Sequence, residues 1–276
     1  MITQYLDETR ALGLRPNSAA VRRRVLAGLA LGLVPTGLLE ATPEQLLAWL
    51  IHTPDWSLAT RQAYRSHLVA FYSWAARRGY IAMDPSIDLP QVKVPRRLPR
   101  PLAAGEVTRA LSIAKSPQMI AMIALAAFAG LRCFEIAAVR GEDVQLGAIA
   151  RLRIPEQKGG DEAMVPAHPV IVEAAKSLPP RGWWFPRQDG RGHVHASVIT
   201  NQGSAFLRAI GIDATMHQLR HSFGTQLYEQ TGDLRVVQEL MRHRSPTSTA
   251  LYTEVSDTRR ATVLQQLAYA AAPVAS

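Results

Sequence analysis

The sequence predicts a mainly α-helical protein with one small β-hairpin, divided into two domains by a proline-rich connector. Three observations support this fold class. Apolar residues recur at helical spacing on both sides of residues 89–102, four prolines interrupt that stretch, and Gly159–Gly160 separates two short strand-like segments. A length of 276 residues suits two domains, and a hydrophobic fraction of 47% excludes a wholly disordered chain.

Residues 1–88 are predicted to form a domain of helices only. Three segments have apolar residues at helical spacing: Val21–Leu33, Glu44–Trp49 and Ala63–Ala76. Ser57 and Thr60 are the two candidate caps of the third helix, because a side-chain oxygen there can accept a hydrogen bond from an N–H of the first turn.

Residues 89–102, LPQVKVPRRLPRPL, are predicted to be an extended connector. Its four prolines lack a backbone donor and disfavour helix in the residue before each of them. Lys93 and three arginines lie among the prolines without any acidic residue. Two interpretations stay open: a solvated linker, or a strap that lies along a phosphate backbone.

Residues 103–276 are predicted to form a second domain that contains the hairpin and ends in a C-terminal tail helix. The expected elements are helices at Ala103–Ala114 and Pro117–Leu131, strands at 148–154 and 163–168, an extended segment at 191–195, and helices from Ser197 onward with breaks near Gly211, Gly232 and Pro246. The helix at Pro117–Leu131 is apolar on most faces and is therefore expected to be buried.

The chain is basic, with 31 Lys plus Arg against 22 Asp plus Glu and a formal net charge of +9. A surplus of this size favours a polyanionic partner, with nucleic acid as the first candidate. The candidate DNA-binding residues lie on the polar face of the third helix and in the connector: Arg61, Arg65, Lys93, Arg96 and Arg97.

The composition also excludes several classes of protein. A single cysteine, Cys133, excludes an internal disulfide framework and a multi-cysteine metal site. Asp7 and Glu8 lie where a signal peptide needs its apolar stretch, and the longest apolar run, Met119–Leu131, is too short for a membrane span. We therefore expect a cytoplasmic protein without membrane contact.

Two motifs carry side chains suited to an anion. In GLRCFEIAAVR, Arg132 begins a helix and Glu135 follows three residues later, so the carboxylate can hold the guanidinium as a rigid fork. Lys158 lies at the tip of the predicted hairpin, where a flexible ammonium can donate a proton. The alternatives are an ordinary surface ion pair and a solvated turn lysine.

A third motif, MHQLRHSFGTQL, places His217, Arg220 and His221 on one helical face. His217 and Arg220 suit a phosphate group, with His221 as a neighbour packed in the core. Two histidines four residues apart can also bind a metal, although the further ligands of a zinc site are missing. Nearer the C-terminus, His243 precedes Tyr252 by nine residues.

Taken together, these residues resemble the tyrosine recombinases, also called phage-type integrases. The matches follow the family's order: its G-L-R-x-x-E segment at Gly130–Glu135, its hairpin lysine at Lys158, its H-x-L-R-H segment at residues 217–221, its second histidine at His243 and its nucleophile at Tyr252. One position departs from the pattern, because Arg242 is found where a glycine usually precedes the second histidine. The resemblance extends over roughly residues 1–265.

The resemblance implies a role for each of these residues. Arg132, Arg220 and His243 would hold the scissile phosphate, Tyr252 would attack it, His217 would accept the phenol proton, and Lys158 would protonate the leaving 5′-oxygen. Glu135 and His221 would support this machinery. No metal or other cofactor is implied, because the arginines supply the positive charge.

The resemblance also implies an architecture and an assembly. A helical core-binding domain and a mixed α/β catalytic domain would clamp duplex DNA, and four protomers would act on two attachment sites through a Holliday junction. The tail after Tyr252 is expected to dock in a neighbouring protomer and link a homotetramer, or else to fold back on its own domain. The arm-binding domain of many phage integrases is expected to be absent, and an accessory directionality factor is a candidate partner.

The preferred function is integration, and also excision, of phage or mobile-element DNA. Within the family the alternative is a Xer-like resolvase of chromosome or plasmid dimers. Outside it, the alternatives are a type IB topoisomerase and a non-catalytic DNA-binding regulator. Cys133 is a rival nucleophile beside Arg132, but a thiol would leave the other residues unexplained, so packing is its expected role.

Overall fold

The computed structural model describes residues 1–95, 100–155 and 162–242. The chain divides into two compact units, Met1–Arg96 and Arg97–Ser276. The described part is mainly helical with one three-stranded sheet, so the predicted fold class is confirmed. In the described ranges no helix is both long and apolar enough to cross a bilayer.

The first unit contains four helices, α1 Ile2–Ala11, α2 Pro16–Gly32, α3 Pro43–His52 and α4 Leu58–Arg77, with a 3₁₀ turn at Leu38–Glu40. Their apolar faces meet in one core, in which Leu26, Leu29, Leu46, Leu68 and Phe71 are fully buried. Ser57 caps α4 by accepting a hydrogen bond from the N–H of Thr60 at 3.2 Å, which confirms the first of the two predicted caps.

The second unit is built around a buried helix. In the ranges described above, its helices and strands are α5 Ala104–Ile113, α6 Pro117–Phe128, α7 Cys133–Ala137, β1 Val144–Gln145, β2 Arg151–Ile154, β3 Ala163–Pro166, α8 Pro169–Lys176, α9 Ala196–Ala209, α10 Met216–Thr231 and α11 Leu234–Met241. A run of small and apolar residues, 121–127, buries α6 among α5, α8, α9 and α10. The predicted burial of this helix is therefore confirmed.

The sheet is antiparallel with the order β1-β2-β3, and Leu152 pairs with Val165 in its centre. The two predicted strands are confirmed in shorter form, whereas β1 and α8 had no clear signal in the sequence. The extended segment predicted at 191–195 forms no strand, because only His193 makes an isolated bridge, with Pro186.

Each unit holds one end of the predicted connector. On α4, Arg65 donates to the carbonyl of Leu89 at 2.9 Å, and the amide oxygen of Gln62 accepts from the N–H of Val92 at 2.9 Å. In the second unit, the N–H of Leu102 donates to the hydroxyl of Ser222 at 2.6 Å. Leu89 and Leu102 are also buried in the core of their own unit.

Candidate active site

The candidate site begins at a turn that only glycine fits. Gly130 follows α6 with φ +58°, a left-handed conformation that is costly for residues with a Cβ atom. A Cβ there would also lie 2.5 Å from the ring of Phe223 and 3.0 Å from the sulfur of Met241. The turn ends α6 at Phe128, earlier than the predicted Leu131, and brings Arg132 to the start of α7.

Glu135 lies at the centre of the site and is only 4% exposed. Its Oε2 accepts the backbone N–H of Arg132 at 2.6 Å, and its Oε1 accepts from Nη1 of the same residue at 3.2 Å. Both bonds are donated by Arg132, so the carboxylate satisfies the N–H that precedes α7 and also fixes the Arg132 guanidinium. The predicted pairing of Arg132 with Glu135 is thus present in the structure.

Arg220 reaches the same carboxylate from α10. Its side chain is 4% exposed, and its Nη1 lies 3.8 Å from Oε2 of Glu135. Nη1 also donates to the carbonyl of Gly130, and Nη2 donates to the carbonyl of Met241 at 2.9 Å. The guanidinium is therefore held between the end of α6 and the end of α11.

A third arginine at the site is Arg242, which sequence reasoning did not place there. Its Nη2 donates to Oε2 of Glu135 at 3.0 Å, and its Nη1 donates to the carbonyl of Ala129 at 3.3 Å. Burial lowers the pKa of Arg242, and the Glu135 charge opposes that shift. The one signal in the sequence was the basic residue at a position where the family usually has glycine.

Within the described ranges, three guanidinium groups surround the Glu135 carboxylate, so positive charge exceeds negative charge among these four side chains. A nearby anion stabilises such a group of cations. The Arg132 side chain is 37% exposed, against 4% for Arg220, so Arg132 is the member that solvent and a ligand reach most easily. The arrangement suits a phosphate group bound by rigid arginine forks.

The two histidines of α10 contact each other beside these arginines. Nε2 of His217 lies 3.0 Å from Nε2 of His221, so one ring donates and the other accepts. Desolvation, with the charges of Arg220 and Arg132, lowers the pKa of His217. Desolvation, His217 and Arg220 lower the pKa of His221 to about 4. Both rings are therefore neutral at pH 7, and one nitrogen of each can accept a proton.

The environment of His221 differs from the sequence interpretation. His221 is half-buried against His217, whereas packing in the core was expected. The metal alternative for this pair gains no support, because no group of three or more His, Cys, Asp or Glu side chains converges within the part of the chain that the structure describes. Cys133, the rival nucleophile, is half-buried as the first residue of α7.

Several predicted site residues lie outside the described ranges: Lys158, His243, Tyr252, Arg96 and Arg97. The two strands that flank the Lys158 segment are β2 and β3. On β2, Arg153 joins the buried Asp143 at 2.6 Å to Glu162 at 3.2 Å. These ion pairs stabilise the part of the sheet that precedes and follows the predicted hairpin turn.

The candidate DNA-binding residues of the first unit differ in whether their side chains contact the protein itself. Arg61 donates to the carbonyls of Leu50, Ile51 and Thr53 at the end of α3, and Arg65 holds the Leu89 carbonyl. Both guanidinium groups thus stabilise the fold, while Lys93 is exposed. Contact of these three residues with DNA stays a prediction.

Comparison with known proteins identifies the class to which this fold and site belong. The sequence profile of the phage integrase family matches residues 101–259, more than half of the chain. The chain therefore belongs to the phage integrase family.

Particular relatives can then be named. Tyrosine recombinase XerC of Methylobacterium nodulans is 32% identical over 263 residues, which cover 86% of this chain and 81% of that protein. Tyrosine recombinase XerC of Xanthomonas campestris pv. campestris is 30% identical over 205 residues, 67% of this chain. The chain spans 61% of the length of that relative.

Solved structures give the same class. The integrase from mycobacterium phage Brujita is 35% identical, with a TM-score of 0.52 over 95% of this chain and 90% of that chain. A lambda integrase dimer bound to a COC′ core site has a TM-score of 0.72 over 91% of this chain and 75% of that chain. Its identity of 19% makes it evidence for the fold alone.

Proposed function

We propose that this protein is a site-specific DNA recombinase that cuts and rejoins DNA through a 3′-phosphotyrosyl intermediate and a Holliday junction. The observation that carries the proposal is the buried Glu135 carboxylate, which fixes Arg132 and Arg220 beside a neutral His217. A DNA phosphodiester is an anion of the size and charge that this arrangement suits.

In this mechanism, Arg132, Arg220 and His243 bind the non-bridging oxygens and stabilise the charge of the five-coordinate transition state. Positioned donors of this kind typically contribute about 10²–10³-fold each in rate. Because Glu135 already holds the two arginines, little reorganisation is needed when the substrate binds. The low exposure of Arg220 keeps its charge poorly screened by water.

The proton transfers follow from the charge states. The phenol of Tyr252 attacks phosphorus and loses its proton to His217, which is neutral at pH 7 and has an acceptor nitrogen. The phosphorus–oxygen bond to the 5′ side breaks, and Lys158 protonates that oxygen. Attack by the 5′-hydroxyl of a second strand reverses these steps and conserves the phosphodiester bond energy. The proposed steps use only protein side chains and DNA, without a metal ion or other cofactor.

A nicked duplex tests the proposal. The substrate is a sequence recovered from a random duplex pool by repeated selection with the full chain, with a nick placed next to the cleaved position so that the short product is lost. The wild type is expected to form a covalent adduct that survives a denaturing gel. Tyr252→Phe should bind equally and form no adduct, while Tyr80→Phe, at an exposed tyrosine of the first unit, should behave as wild type.

Each result that contradicts the proposal would lead to a different conclusion. Binding without an adduct in the wild type would indicate a regulator, and an adduct in Tyr252→Phe would exclude this tyrosine as the nucleophile. Relaxation of an unrelated supercoiled plasmid would indicate a type IB topoisomerase.

Within the family, two observations favour two roles. The 35% identity to a phage integrase over nearly the whole chain favours integration of phage or mobile-element DNA. Relatives named tyrosine recombinases XerC and XerD favour a Xer-like resolvase as the second candidate. Joining of two different sites on separate molecules supports integration, whereas recombination restricted to two copies of one site supports resolution.

The assembly belongs to the same proposal. We propose that four protomers act together on two DNA sites in the bacterial cytoplasm and exchange their C-terminal tails, with an accessory factor setting the direction. Related structures solved with DNA support this assembly, among them a lambda integrase tetramer bound to a Holliday junction. Crosslinking of DNA-bound protein, with a truncation after residue 259 as the control, tests the tail exchange.

A further inference from the structure

Arg242 occupies a backbone conformation that disfavours any residue with a side chain. It lies at the end of α11 with φ 55° and ψ 45°, in the left-handed region. Glycine is the residue that adopts this conformation without cost, which explains a glycine at a helix end. An arginine persists there only if its side chain makes contacts that offset the cost.

Those contacts are with the turn between α6 and α7. The guanidinium donates to Oε2 of Glu135 at 3.0 Å and to the carbonyl of Ala129 at 3.3 Å. A further bond, to the carbonyl of Leu240 at 3.2 Å, fixes the side chain against its own helix end. The side chain is 13% exposed, so water screens these contacts weakly. Arg242 therefore ties the end of α11 to the turn that carries Arg132.

The position of Arg242 in the chain gives this contact its importance. Glu135 is the carboxylate that fixes Arg132 and Arg220, and the residue that follows Arg242 in the sequence is His243. Arg242 thus contacts the central carboxylate through its side chain and directly precedes a proposed phosphate ligand in the sequence. A purely local helix cap would need neither the Glu135 contact nor the buried guanidinium.

We propose that Arg242 is a positioning residue that couples the Arg132–Glu135–Arg220 cluster to the segment bearing His243 and Tyr252. The inference rests on the proposed recombinase function. Arg242 acts through Glu135 and through its chain neighbours and does not itself touch the phosphate. Its removal should therefore slow formation of the tyrosyl adduct and leave the affinity for DNA nearly unchanged.

The test compares Arg242→Gly, Arg242→Ala and Arg242→Lys with wild type on the selected nicked duplex. Arg242→Gly should form the adduct about 10–100-fold more slowly, with a Kd within about twofold of wild type. Arg242→Lys should recover part of the rate, since an ammonium can still pair with Glu135 but cannot also reach the backbone carbonyls as the guanidinium fork does. Arg242→Ala should unfold at a lower temperature than Arg242→Gly, because alanine keeps the backbone cost and loses the contacts.

Arg235→Ala is the matched control. Arg235 lies on the same helix, carries the same charge and pairs with Glu239 at the surface. This variant should cleave at the wild-type rate. In addition, Arg242→Gly combined with Glu135→Gln should slow the reaction less than the product of the two single effects, because both changes break the same contact.

The possible outcomes separate the two proposals. If the wild type forms the adduct and Arg242→Gly forms it equally fast, the positioning role is wrong while the recombinase function stands. Multiplicative rate effects of the two substitutions would also overturn the coupling through Glu135. If the wild type binds its selected duplex but forms no adduct, the recombinase function fails and the positioning role fails with it.

Discussion

At the scale of single residues, the site depends on one buried carboxylate. Glu135 faces three arginines, and each contact links a different part of the chain to it: Arg132 from α7 itself, Arg220 from α10 and Arg242 from the end of α11. A buried charge of this kind is expensive to remove, because its partners then stay buried without compensation. The geometry of the proposed phosphate site therefore depends on this charge.

Glu135→Gln should lower the free energy of unfolding by about 3–5 kcal/mol, the usual effect of removing one member of a buried ion pair. Glutamine keeps the shape of the side chain and removes the charge. Urea unfolding followed by circular dichroism measures the change. The control is Glu239→Gln at the exposed pair with Arg235, which should cost less than about 1 kcal/mol. Equal losses in the two variants would contradict the central role of Glu135.

The His217–His221 contact predicts a pH-dependent stability. Because the folded protein lowers the pKa of His221 to about 4, from an ordinary value near 6.5, the unfolded chain binds the proton more readily. Stability from this histidine is complete above about pH 6.5 and is lost as the pH falls toward 4, by about 1–2 kcal/mol once solvent screening of the half-buried ring is allowed for. His221→Gln should flatten this part of the stability profile.

His52→Gln, at the exposed end of α3, is the control for that profile. Its stability should follow the wild-type curve between pH 7 and pH 4. A wild-type slope that His221→Gln leaves unchanged would show that other groups determine the acid sensitivity.

At the scale of secondary-structure elements, the turn between α6 and α7 decides where the arginines lie. Helix α6 is buried on nearly every side, so its end is fixed by the packing of its neighbours. The carbonyl of Gly130 then accepts from Arg220, and the next residues begin the Arg132 cap. The left-handed Gly130 thus connects the buried helix α6 to the arginines of the proposed phosphate site.

Gly130→Ala should lower the free energy of unfolding by about 2–4 kcal/mol, from the left-handed backbone and from the overlap with Phe223. It should also slow adduct formation, since Arg220 loses its acceptor position. The matched control is Gly105→Ala near the start of α5, where an added Cβ meets no atom within 4 Å. That variant should be as stable as wild type or more stable by up to about 1 kcal/mol. Thermal and urea unfolding of both proteins test the contrast.

Sequence reasoning was strongest where the informative residues are close together in the chain. The cap of α4 by Ser57 and the pairing of Arg132 with Glu135 each span three residues, and the structure contains both. The contact of Arg242 with Glu135 joins residues that are 107 positions apart in the sequence. A pattern of neighbouring residues cannot predict a contact between such distant positions. The two-residue strand β1 is likewise defined by its partner strand, so its own sequence could not predict it.

Contacts between residues far apart in the sequence also explain why the surroundings of the α4 arginines were not predicted. A polar helix face with Arg61 and Arg65 favoured a surface that binds an anion, yet both side chains donate to backbone carbonyls of neighbouring segments. Arginine serves either purpose, since its five donors suit carbonyl groups as well as phosphates. Only the tertiary packing shows which acceptors lie within reach.

At the scale of the whole molecule, the charge surplus predicts how binding responds to salt. With a net charge of +9 and the proposed phosphate site, the proposed recombinase should release several counterions from DNA when it binds. If about six phosphates are contacted, the affinity for the selected duplex should fall by about 10³-fold between 50 and 200 mM salt. Fluorescence anisotropy at four salt concentrations measures the slope. An affinity that is flat over this range would contradict a large electrostatic interface.

The anchored ends of the connector show that each unit fixes its own end of this basic segment. Gln62 and Arg65 hold the chain as far as Val92. At the opposite end, Gln218 donates to the carbonyl of Arg100, and Ser222 accepts from the N–H of Leu102. Both anchors use side chains of a long helix, α4 or α10, which packs into the core of its own unit. The direction in which the chain leaves each core is therefore determined within that unit.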